Sequence, residues 1–105
     1  MPFLHCEAVR WVGDEPFPGL VEVCFTDAHH QQRSVIDKAP VFDDSDALTP
    51  TADYPVTVNV LCDILQRTAS HSATRTVTVS LAPWGLESVD GDVEFQVRAD
   101  QLTTS

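Results

Sequence analysis

The chain has 105 residues, 43% of them hydrophobic, and sets 16 Asp and Glu against 6 Lys and Arg for a formal net charge of −10. That length fits a single domain able to bury roughly two thirds of its unfolded surface in one core, without a metal or disulfide. The negative excess repels phosphate backbones and anionic headgroups, which argues against nucleic acid and membrane surfaces as partners.

The opening residues Met1–Glu7 carry no basic region and reach Glu7 before an apolar run develops, unlike a secretory signal. The most apolar stretch, Val60–Leu65, is interrupted by Asp63 and is far too short to cross a bilayer. Three cysteines, an odd number, fit a reducing compartment with free thiols, so the cytoplasm is the expected location.

Phe3–Val12 is the first predicted strand. Phe3, His5, Val9 and Trp11 share one face and Leu4, Cys6, Ala8 and Val12 the other, a blurred alternation that suggests a bulge swapping faces partway. Two glycines and two prolines in Gly13–Gly19 close a hairpin. Phe17, locked between Pro16 and Pro18 beside Asp14 and Glu15, is either an interface anchor or, the favoured reading, a lid folded over one end of the core. Leu20–Asp27 alternates cleanly, with Val21, Val23 and Phe25 inward and Glu22, Cys24 and Thr26 outward. Asp27–His30 reads as a tight turn organised by the aspartate, and Gln31–Asp37 as the return strand, ending before Pro40.

Asp43, Asp44 and Asp46 ahead of Ala47-Leu48 suit a capped single turn of helix over residues 43–48, within a crossover. Val56–Leu65 gives the clearest strand pattern, with Val56, Val58, Val60, Cys62 and Ile64 on one face. Residues 66–73 form a polar loop. Arg75–Ala82 resumes the alternation through Val77, Val79 and Leu81 until Pro83-Trp84-Gly85 breaks it. Leu86–Val89 suggests a short strand, Asp90-Gly91 a hairpin turn, and Val93, Phe95, Val97 and Ala99 the inner face of a last strand. The tail from residue 100 to 105 is expected to fray. The fold class is therefore all-β: a small antiparallel barrel or sandwich of six or seven strands in one domain over 1–105. The barrel is preferred because it leaves no exposed sheet edge.

Candidate chemistry is sparse. His5, Cys6, Cys24, His29, His30, Cys62 and His71 are ligand types, but no close Cys or His pairing has the spacing of a structural zinc site. Cys6 falls beside or diagonal to Cys24 if the first hairpin pairs as its turn suggests, and Cys62 points into the core. Counting an EF-hand loop from Asp43 puts Leu48 where glycine is needed and Tyr54 where a bidentate acid is needed, so that motif fails. No nucleophile elbow and no phosphate-binding glycine loop occurs. No metal, cofactor or catalytic residue is assigned.

Two functional expectations follow. The first is a non-enzymatic binding module for a basic protein, such as an inhibitor or immunity-type protein, with Asp14, Glu15, Phe17 and Trp84 as its contact residues. The second is a small-ligand binder or minor enzyme with a pocket near His5, Trp11 and Trp84. Either a monomer or an edge-paired homodimer is compatible with the pattern.

Overall fold

Twelve residues, Pro2–Gly13, form strand β1, on which the larger sheet is built. The computed structural model describes residues 2–43, 47–67 and 75–104. After β1 come β2 (Leu20–Thr26), β3 (Gln32–Lys38), a one-turn helix α1 (Ala39–Phe42), β4 (Val56–Leu61), β5 (Asp63–Arg67), β6 (Thr76–Ser80), β7 (Glu94–Arg98) and β8 (Leu102–Thr104). The larger sheet runs β3-β2-β1-β4, with β8 also on β1, and the smaller runs β5-β6-β7. Every pairing is antiparallel.

The blurred pattern of β1 has the expected cause. Along β2, Ala8 pairs with Val23 and Arg10 with Glu22, so Val9 is an extra residue that reverses the facing. Before it, Leu4, Cys6 and Ala8 are buried; after it, Trp11 packs against the core. A second shift between Trp11 and Gly13 leaves Val12 exposed, away from the face it was expected to share with Leu4.

The all-β reading holds, but the wall is not a closed barrel. Val56–Leu65 is not one strand: at Cys62 the chain leaves the larger sheet as β4 and enters the smaller as β5. Inward alternation is unbroken through Val58, Val60 and Cys62, so the change of sheet left no mark on the pattern. On the opposite side the sheets meet only locally. Val35 makes an isolated bridge to Ser88, Val89 N–H donates to Ser34 C=O at 2.9 Å, and Ala28 N–H donates to Gln96 C=O at 2.8 Å. These contacts blunt the edges of β3 and β7, so the hazard that favoured closure is met without it. The expected strand at Leu86–Val89 is reduced to that bridge.

Two further expectations are corrected. A helical turn lies at Ala39–Phe42, because Pro40 fits the first turn of a helix; of the turn expected at 43–48, Asp43, Ala47 and Leu48 are not helical and residues 44–46 lie outside the described residues. The tail does not fray up to Thr104: Ala99–Gln101 forms a 3-10 turn, and β8 pairs Leu102 with Leu4 and Thr103 with Phe3. Among the described residues eight strands thus replace six or seven. The expected polar loop at 66–73 begins inside β5, and its remainder from residue 68 lies outside the described residues.

Between the sheets lies one apolar layer. Val21, Val23, Phe25 and Val35 come from one side and Val77, Val79, Phe95 and Val97 from the other, with Phe42 and Leu48 also buried in it. Phe25 and Phe95 meet edge to face, centroids 5.2 Å apart, which ties β2 to β7 across the gap. Arg33 lies 5.1 Å over the Phe95 ring and pairs with Asp92, so the rim of that contact is held by charge as well. Among the described residues no helix is long and apolar enough to cross a membrane.

Candidate functional site

Two surfaces stand out, at different levels of the larger sheet. The first is the β1–β2 loop. Its geometry starts at Gly19, whose φ of +129° is a conformation L side chains rarely adopt. The glycine lets the Trp11 ring lie against its Cα, where a Cβ would come within 2.0 Å of Cζ2. Trp11 in turn donates its indole N–H to Asp14 Oδ1 at 2.9 Å. Gly19 N–H donates to Pro16 C=O at 2.9 Å, and Ala39 N–H to Gly19 C=O at 3.1 Å. The loop is pinned at its base on both sides.

What it displays is Phe17, 87% exposed. The lid expected from the sequence is overturned: with a proline on each side and the loop base pinned through Trp11 and Gly19, the ring is held away from the sandwich. Asp14, Glu15 and Phe17 share this exposed loop. Trp84 does not belong to it; it ends the Ala82–Trp84 turn, half-buried and packed against the core.

The second surface is the outer face of the larger sheet, toward the far end of β1. Register fixes its rows. Glu7 stands directly between Thr57 on β4 and Cys24 on β2, with Ser34 on β3 beyond Cys24. Two residues back, His5 faces Asn59. A groove of about 530 Å³ covers this area and is bounded at one end by Arg98, Asp100 and Gln101. It exists because β2 and β8 share one side of β1 without meeting. The buried side chain of Gln101 spans the gap, donating from Nε2 to Thr26 C=O at 2.6 Å and accepting the Arg98 N–H at 2.8 Å.

His5 is held on both nitrogens. Asn59 Oδ1 can only accept, so His5 Nδ1 carries the proton in that 2.9 Å bond. In the neutral ring Nε2 is then left to accept the Thr103 hydroxyl. A hydroxyl, a base and an orienting amide in series have the order of a nucleophilic relay. All three, however, sit on adjacent strands of an open face, and we read them as a polar ladder pinning β8 and β4 to β1. Of the expected pocket, only His5 lines this groove. The bulge at Val9 turns His5 outward and Trp11 inward, and Trp84 packs elsewhere.

All three cysteines are free thiols, and all are buried. Cys24, expected outward, does point to the outer face but is covered there, its sulfur 3.2 Å from Ser34 Oγ. Burial, then the neighbouring Cys62 and Cys24, drives the Cys6 thiol far above its ordinary value. Cys62 is pushed up to about 11 by burial and then by Asp63. Neither is a nucleophile at neutral pH. Among the described residues no three His, Cys, Asp or Glu side chains gather as metal ligands; Asp44, Asp46 and His71 lie outside them. Of the histidine pair, His29 bonds Gln96 at 2.7 Å and His30 takes a φ of 63° in the turn that Asp27 organises.

No family model, curated protein or solved structure matches the chain. The sequence named the loop residues. It missed Glu7, Thr57 and Asn59, which are scattered over two strands 50 residues apart and meet only through register.

Proposed function

We propose that this protein is a cytoplasmic, non-enzymatic binding module that docks a basic protein through its β1–β2 loop, in the manner of an inhibitor or immunity-type protein. The observation that carries the reading is Phe17, 87% exposed at the tip of a loop whose base is held by Trp11, Gly19 and Pro16. An aromatic ring kept in water by a pinned loop has already met much of the ordering cost of binding. Asp14 and Glu15 flank it, and the net charge of −10 steers cationic surfaces toward it. Full burial of the ring in a partner is worth about 1.5–3 kcal/mol, or roughly a 10- to 150-fold change in affinity.

The test is association with a panel of basic proteins at low and moderate salt. Binding should weaken as salt rises, Phe17→Ala should weaken it by at least tenfold at each salt, and Glu15→Gln should reduce its salt dependence. No association above that of an unrelated acidic protein would overturn the reading, as would binding that Phe17→Ala leaves untouched.

A further inference from the structure

Glu7 sits at the centre of the larger sheet's outer face, on the floor of the 530 Å³ groove, and among the described residues its carboxylate forms no hydrogen bond or ion pair. The neighbours that register gives it are a hydroxyl, Thr57, and the thiol of Cys24, which is turned toward Ser34. Neither can neutralise a carboxylate. Among the described residues that line the groove the cation is Arg98, and it is engaged with Asp100 at 3.2 Å. His5, two residues along the same face, has both ring nitrogens occupied. The groove floor is thus left with one uncompensated negative charge in a concave, mixed polar and apolar setting.

The rest of the lining indicates what would compensate it. Thr57, Thr26 and Gln32 all face the groove and form no side-chain hydrogen bond among the described residues. Each offers an oxygen acceptor near the carboxylate's face of the sheet. Val9 and Phe25 add apolar wall. Acceptors around a carboxylate suit a group made of donors, and apolar wall suits a methylene stem. The volume falls within the range of about 300–1,000 Å³ typical of organic ligand sites.

We propose that this groove is a binding site for an alkyl-guanidinium or alkyl-ammonium group, clamped by Glu7. The carboxylate takes the cationic head, bidentate in the case of guanidinium. Thr57, Thr26 and Gln32 accept its remaining protons, and the stem lies against Val9. The same head occurs on free small amines and on the arginine or lysine side chains of a protein, and the two sources are separable by experiment. The site does not depend on the Phe17 loop, which follows β1 after Gly13, at the end of the strand away from His5 and Glu7.

The test is a titration of the ¹⁵N-labelled protein with agmatine, followed by amide chemical shifts. Saturable shifts should centre on Glu7, Cys24 and Thr57, and an uncharged alkylurea of equal length should produce none. Glu7→Gln should weaken agmatine at least tenfold, while Glu87→Gln, an exposed acid outside both surfaces, leaves it unchanged. Because Glu7 is exposed and unpaired among the described residues, Glu7→Gln should keep the parent melting temperature; Thr57→Val, expected to weaken agmatine by a few fold, is the second variant. A parallel titration uses a folded, arginine-rich basic protein. Saturation by agmatine identifies a free-cation site, and Glu7-dependent shifts with the protein alone identify a side-chain socket. Shifts spread over all acidic surfaces, equal binding by Glu7→Gln, or no shifts with either probe would overturn the assignment.

Discussion

Replacing Gly19 with alanine tests whether the loop is built as described. The new methyl would stand 2.0 Å from Trp11 Cζ2 and 2.4 Å from Cη2, both impossible, so the ring must leave. Three costs add. Holding a non-glycine residue at φ +129° costs about 1–3 kcal/mol. Displacing a packed ring costs about 1–3 kcal/mol, as in an overpacked core. Losing the 2.9 Å Trp11–Asp14 bond adds about 0.5–1.5 kcal/mol. Because a displaced ring relieves the clash as it goes, the total should fall near 3–5 kcal/mol, a large share of the stability of a small domain. Urea denaturation followed by circular dichroism gives the number. A double-mutant cycle with Trp11→Ala isolates the cause: without the ring only the backbone cost remains, so Gly19→Ala should cost about 2 kcal/mol less than it does in the parent. A Gly19→Ala protein within about 0.5 kcal/mol of the parent, or a cycle that is strictly additive, would refute the packing of Trp11 on Gly19.

Two other outcomes follow from buried groups. Gln101→Ala strands the Thr26 carbonyl and the Arg98 N–H, which now have partners at 2.6 and 2.8 Å; about 2–4 kcal/mol should be lost, and amide exchange should show β8 unprotected while β6 stays protected. Unchanged exchange at 102–104 would show that Gln101 does not tether the strand. The thiols make stability fall at alkaline pH. Cys62, raised from an ordinary 9.0 to about 11, and Cys6, raised further by burial, keep their protons in the folded protein where the unfolded chain has lost them. Unfolding therefore releases protons above pH 9. Stability should be flat below that and decline between pH 9 and about 11, by at most about 1.4 kcal/mol per pH unit for each thiol. Urea melts across that range should lose part of the slope in Cys62→Ala, and a slope unaltered by that change would be contrary evidence.

Much of this fold was readable in advance, residue by residue. Val21, Val23 and Phe25, and later Val77, Val79 and Leu81, point inward because alternation with period two admits no other facing on a half-buried strand. The bulge in β1 was visible as an alternation with apolar residues on both faces, and the Asp27 turn as a residue able to accept its own downstream N–H groups. Phe17 was named as a contact residue but expected to fold inward, since the sequence carries the cost of exposing a ring and not the anchoring of the loop beneath it.

By itself the amino-acid sequence determined that this chain makes antiparallel sheet, which side chains fill its interior, and that its surface is anionic; each of these is set by neighbours two residues apart or by a sum over the chain. Only the tertiary structure decided that the wall divides at Cys62 into two sheets, that β8 returns to β1, and that Glu7 meets Thr57 and Cys24 on the floor of a groove. Those are pairings between segments distant along the chain, selected by the register and packing of the whole, and local periodicity holds no record of which strand will lie beside which.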